Sequence, residues 1–146
     1  MVIKGLVIYS PQQPAISQFA ETIYDTLIID KELMTVDEAP EELRGYDIIF
    51  AGFWMEDGKT TADSEAFLQK MEDCNVALFS AMKEDPTTDE AREWLRHNRD
   101  LLPDNNMFLG AFICQTKSDE HDVERPGKED LYGAQVFARE MFYSLH

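Results

Sequence analysis

Positive charge is scarce in this chain: 13 lysines and arginines stand against 29 aspartates and glutamates, a net charge of −16 over 146 residues. Nucleic-acid backbones and anionic membrane surfaces are bound through Lys and Arg. No nucleic acid and no membrane are therefore expected as partners; the acidic surface keeps the chain in solution and suits steering toward a basic protein. Cysteine is scarce too. Cys74 and Cys114 are too few for a disulfide framework, no CxxC occurs, and both are expected as buried free thiols. Long apolar runs are missing: the longest, Gly5–Tyr9 and Ile48–Trp54, fall far short of the roughly 20 residues of a membrane span. The N-terminus lacks the layout of a signal peptide, so a cytoplasmic protein is expected.

Catalytic motifs are lacking as well. His97, His121 and His146 are dispersed, without Cys or carboxylate partners at a metal-ligand spacing. His97, beside Arg96 and Arg99, reads as a surface residue, and Asp119-Glu120-His121-Asp122 as a solvated loop. No GxSxG elbow surrounds Ser10 or Ser17, which leaves a hydrolase triad unsupported. No catalytic residue and no metal ligand is expected.

What is present is core material. Hydrophobic residues make up 44% and aromatics 11%, enough for one domain over residues 1–146. Val2–Tyr9, Tyr46–Gly52, Asn75–Met82 and Met107–Cys114 read as strands buried on both faces, and Glu32–Val36 as a short one. Ile16, Phe19, Ala20, Ile23, Tyr24 and Leu27 recur with helical period, as do Leu131, Ala134, Ala138, Met141, Phe142 and Leu145. Two further helices are expected over Asp63–Glu72 and from a capping box at Thr87 and Glu90 through Trp94, a core residue, to Leu101. Phe53–Thr61, Lys83–Thr87 and Gln115–Lys128 read as loops. Strands alternating with helices imply an α/β sandwich on a parallel sheet, with its ligand site outside the carboxyl ends of the strands. The loops around Ser10–Ser17, Phe53–Thr61 and Ser80–Pro86 lie there.

Lys4–Ser10, Val36–Leu43, Tyr46–Trp54, Val76–Phe79 and Leu109–Gln115 resemble the short-chain flavodoxins. The resemblance implies a flavodoxin-like three-layer fold: a five-stranded parallel sheet of order 2-1-3-4-5. It also implies FMN as cofactor and electron transfer with a redox partner protein, an electron carrier rather than a stand-alone enzyme. The family's phosphate loop, [S/T]-x-T-G-x-T, falls on Pro11-Gln12-Gln13-Pro14-Ala15-Ile16 and matches at none of its four specified positions. Two readings stand: a shifted phosphate site using Ser10, Gln12, Gln13, Ala15, Ile16 and Ser17, or a rigid cap that has stopped binding phosphate. After the third strand Phe53, Trp54 and Met55 are placed against the flavin ring, as exposed aromatics need a cover. Ser80, Ala81, Met82 and Lys83 are placed at the ring edge. The alternative function is a degenerate flavodoxin-like module that has lost FMN and binds a partner through its aromatic edge.

Overall fold

A computed structural model describes residues 3–11, 13–43, 45–54, 61–82, 87–115, 117–118, 123–124 and 127–145. The apolar run after Ile3 becomes strand β1 (Lys4–Tyr9). Pro14, with its fixed φ and missing N–H, suits the first helical position and opens helix α1 (Pro14–Thr26). Strand β2 (Asp30–Thr35) follows, then a 3₁₀ turn over Val36–Glu38. The chain continues through β3 (Ile48–Trp54), α2 (Ala62–Gln69), β4 (Asn75–Met82), α3 (Asp89–Leu101) and β5 (Met107–Gln115). A two-residue ribbon, β6 (Lys117–Ser118) and β7 (Val123–Glu124), precedes α4 (Lys128–Tyr143).

The first five strands form one parallel sheet in the order β2-β1-β3-β4-β5, as the sequence predicts. Alternation along β3 divides the core between its faces. Ile49, Ala51 and Phe53 join Phe67, Leu68 and Trp94 of α2 and α3. Ile48 and Phe50 join Ile16, Phe19, Phe137 and Ala138 of α1 and α4. On that second face Phe19 meets Phe112 edge-on at 5.4 Å, and Phe50 meets Phe137 at 5.8 Å. Gly52 is needed between the two central strands: a Cβ there would lie 2.1 Å from the Phe79 ring, which fills the space over β3. Cys74 and Cys114 are buried free thiols, and Trp94 is fully buried, as expected. Among the described residues no helix is long and apolar enough to cross a membrane.

Several boundaries differ from the expected ones, each for a local reason. β3 does not stop at Gly52, because Phe53 and Trp54 pair onward with Ser80 and Ala81 of β4. β2 begins at Asp30 rather than Glu32, since its register with β1 starts at Lys4. The 3₁₀ turn is closed by the Thr35 N–H donating to Glu38 Oε1 at 2.9 Å. α3 takes Thr88 as its N-terminal cap, without a side-chain hydrogen bond to the helix, and starts at Asp89, one residue later than a Thr87 cap would place it. Gln115–Lys128, read as a loop, holds the antiparallel β6–β7 ribbon.

Candidate functional site

The chain leaves β1 toward one face of the sheet and β3 toward the other. Ile16 and Phe19 of α1 pack in the layer shared with α4, whereas Phe67 and Leu68 of α2 pack in the layer shared with α3. Adjacent parallel strands whose exits diverge leave a crevice at their carboxyl ends. In register, Tyr9 of β1 stands beside Gly52 of β3, and Trp54 of β3 beside Ala81 of β4. The described residues at the start of those loops, Ser10, Trp54 and Met82, therefore stand at or beside the carboxyl ends of β1, β3 and β4.

Their side chains meet different fates. Trp54 is the last residue of β3 and is half-buried, packed against the layer of α1 and α4. Phe53 points the other way and is fully buried against Phe67, with ring centroids 6.3 Å apart. The expectation of an exposed Phe53 is thus corrected: one step along a strand reverses the face. Ser80, Ala81 and Met82 close β4, as the expected strand Asn75–Met82 has them, and their side chains are buried. The Ser80 hydroxyl donates to the Phe53 carbonyl at 2.6 Å and braces the end of β3. Gln12, Met55 and Lys83 lie outside the described residues, as does the Asp119–Asp122 cluster.

The first loop is closed in on itself. Ser10 is buried, and its N–H donates to the Gly52 carbonyl at 3.0 Å. Gln13 caps α1 in extended conformation without a side-chain hydrogen bond to the helix. Pro14 offers no N–H. The N–H groups of Ile16 and Ser17 both point to the Gln13 carbonyl, at 3.1 and 3.4 Å. Ala15 and Ile16 are buried in the core, and the Ser17 side chain is partly exposed.

Two residues outside the expected site stand at this end of the sheet. Tyr9, half-buried, ends β1 on the same face as Trp54. Cys114, buried, lies beside Ala81. Their only signal in the sequence is position at the end of an apolar run. His97 is exposed, as expected, but its notable neighbour is a carboxylate rather than an arginine: Nε2 lies 3.0 Å from Glu65 Oε1, linking α3 to α2. Among the described residues no group of three His, Cys, Asp or Glu side chains could hold a metal ion.

The fold is that of a doubly wound α/β protein whose switch point lies between β1 and β3. The flavodoxin-domain family model matches residues 6–138, and the chain belongs to that family. It is similar to the flavodoxin-like domain-containing protein BilS of Clostridioides difficile (strain CD3), at 25% identity over 169 positions, covering 95% of this chain and 96% of that one. A short-chain flavodoxin associated with a non-canonical PDU bacterial microcompartment superimposes with a TM-score of 0.74 at 12% identity, over 99% of each chain. The Streptococcus pneumonia TIGR4 flavodoxin does so with a TM-score of 0.72 at 12% identity, over 97% of this chain and 99% of its own. Both structural likenesses speak for the fold.

The cofactor that the family implies has two ends to be satisfied. At the ring end the residues fit, since Trp54 offers a flat aromatic surface at the mouth of the crevice. At the phosphate end they do not. A phosphate on a helix N-terminus needs free N–H groups and close backbone approach, and here Pro14 has no N–H and the Ile16 N–H turns back to the Gln13 carbonyl, which leaves Ala15 as the remaining donor of the first three helical positions, with no glycine beside it.

Proposed function

We propose that this protein is a flavin-binding electron-transfer protein that holds the ring of its flavin against Trp54. The half-buried Trp54 at the carboxyl end of β3, in a chain of the flavodoxin-domain family, carries this reading. The flavin, FMN in the family's usual form, supplies the redox chemistry; the protein supplies binding, orientation and tuning of the potential. Trp54 excludes water from one ring face. The acidic side chains of the chain disfavour negative charge developing on the ring and so lower its potential. No catalytic acid or base is needed. Docking to a redox partner of basic surface would be brief and salt-dependent.

A second reading is favoured by the closed phosphate loop: an interaction protein of flavodoxin fold that holds no flavin and presents its Trp54 edge to a partner. The visible absorption spectrum of the purified protein separates the two, because flavin bands accompany only the first. Trp54→Ala tests the residue. Loss of ring stacking, about 0.5–1.5 kcal/mol, lowers flavin affinity by about two- to twelvefold, with a small change in the melting temperature of the flavin-free protein. A fall in stability of the order of 3–5 kcal/mol, typical of a core aromatic, with flavin affinity unaltered would remove Trp54 from the site.

A further inference from the structure

We propose that the site recognises the flavin ring and does not read the 5′-phosphate, so that riboflavin and FMN bind equally well. This rests on the flavin reading above and concerns which part of the ligand carries the affinity. A phosphomonoester brings about 1.5 to 2 negative charges at neutral pH. Leaving water, it must recover hydrogen bonds and countercharge from the protein. The described residues of the first loop supply little of either. Pro14 has no N–H, and the Ile16 N–H is directed to the Gln13 carbonyl, so Ala15 is the remaining N–H of the first three helical positions. Ser10 is buried, with its N–H directed to Gly52. Ala15 and Ile16 turn apolar side chains into the core.

Countercharge is missing from the first loop by composition as well. From Gly5 to Asp30 the chain has no lysine or arginine. Lys31, the next basic residue, is bound at the far end of α1, where its Nζ donates to the carbonyls of Tyr24 at 2.6 Å and Leu27 at 3.0 Å. Over a whole chain of net charge −16 the background field repels a dianion. The ring carries no such charge, and its stacking on Trp54 is unaffected by the field. Affinity for the flavin therefore comes from the ring, and the phosphate adds nothing to it.

The experiment is a pair of fluorescence titrations of the flavin-free protein, one with riboflavin and one with FMN. The expected Kd values agree within about fivefold, less than 1 kcal/mol. A larger preference for FMN overturns the inference while leaving the flavin reading in place. Binding of neither flavin removes the flavin reading, and this inference with it. A second arm rebuilds the loop with Pro11→Ser, Gln13→Thr and Pro14→Gly together. That variant should gain about tenfold or more in affinity for FMN and none for riboflavin. An equal response to both flavins would show that the mouth of α1 is not where phosphate recognition was lost.

Discussion

Tyr46 lies just ahead of β3, and its hydroxyl donates to Glu32 of β2, while the Lys4 ammonium sits 5.0 Å from the ring centre and 3.5 Å from Glu32 Oε1. Burial and then the neighbouring Glu32 carboxylate push the Tyr46 phenol up from 10.0 to about 12. The same hydrogen bond, with help from Lys4, holds Glu32 below the usual carboxylate range. A tyrosine whose pKa is higher in the fold than in the unfolded chain adds stability that is whole below about pH 10 and is lost as the pH climbs through about 12. An alkaline titration followed by phenolate absorbance should show one of the five tyrosines ionising last, and Tyr46→Phe should delete that late step. Glu32→Gln should move the step only part of the way back, because burial, the largest single cause, remains. Deletion of an early step by Tyr46→Phe would show that the phenol is not held up at all. The cluster draws on the starts of β1 and β3, far from Trp54, so neither variant should alter flavin binding.

At the scale of elements, α1 has no basic residue in its own last turn, yet its carboxyl end is capped. Lys31 reaches back from β2 to the Tyr24 and Leu27 carbonyls and lies 4.4 Å from the Tyr24 ring centre. A cation at a helix carboxyl end satisfies orphan carbonyls and the helix dipole together. Lys31→Met keeps most of the side-chain volume and removes both bonds. It should lower stability by about 1 kcal/mol, seen as a lower urea midpoint at unchanged slope; an unchanged midpoint would mean that water caps the helix as well. This contact also shows where the sequence stops being legible. Leu6, Val7 and Ile8, or Val76 through Phe79, announce central strands because every side chain is apolar. The helical stripes announce α1 and α4 in the same way. A strand buried on both faces has no internal mark of its end, however, so Phe53 and Trp54 were read as loop, although pairing with Ser80 and Ala81 carries the strand through them. Nothing in the sequence marks Lys31 as a helix cap, because the helix it caps lies earlier in the chain. The two-residue strands β6 and β7 are too short for any periodicity. At the site, Pro11 and Pro14 betrayed the altered phosphate loop in the sequence alone. That the Ile16 and Ser17 N–H groups both turn to Gln13 required coordinates.

Over the whole molecule the dominant quantity is the net charge of −16, and its effect on folding can be separated from that of local pairs. The ion pairs among the described residues include Lys4–Glu32, Arg92–Asp89, Arg96 with both Glu93 and Asp100, and Glu65 with His97 when the imidazole is protonated. The arginine pairs are largely exposed and the other two about half-exposed, and solvent-screened pairs of this kind contribute about 0–1 kcal/mol each. Added salt screens these attractions and the general repulsion among carboxylates alike, at a Debye length of about 10 Å in 0.1 M salt. With 29 acidic residues against 13 basic ones, repulsion has many more partners than attraction, and it acts on the compact state more than on the expanded chain. Sodium chloride should therefore stabilise the flavin-free protein: a gain of about 1 kcal/mol would raise Tm by about 3–4 °C for a chain of this size. Docking to a basic redox partner should respond in the opposite sense, weakening as the same salt screens its attraction to the acidic surface. Calorimetry of the protein alone and a titration with a basic electron acceptor, over one series of salt concentrations, read the two effects side by side. A Tm that falls with salt would show that the surface pairs outweigh the repulsion. Docking indifferent to salt would show that the partner recognises the Trp54 edge by apolar contact rather than by charge.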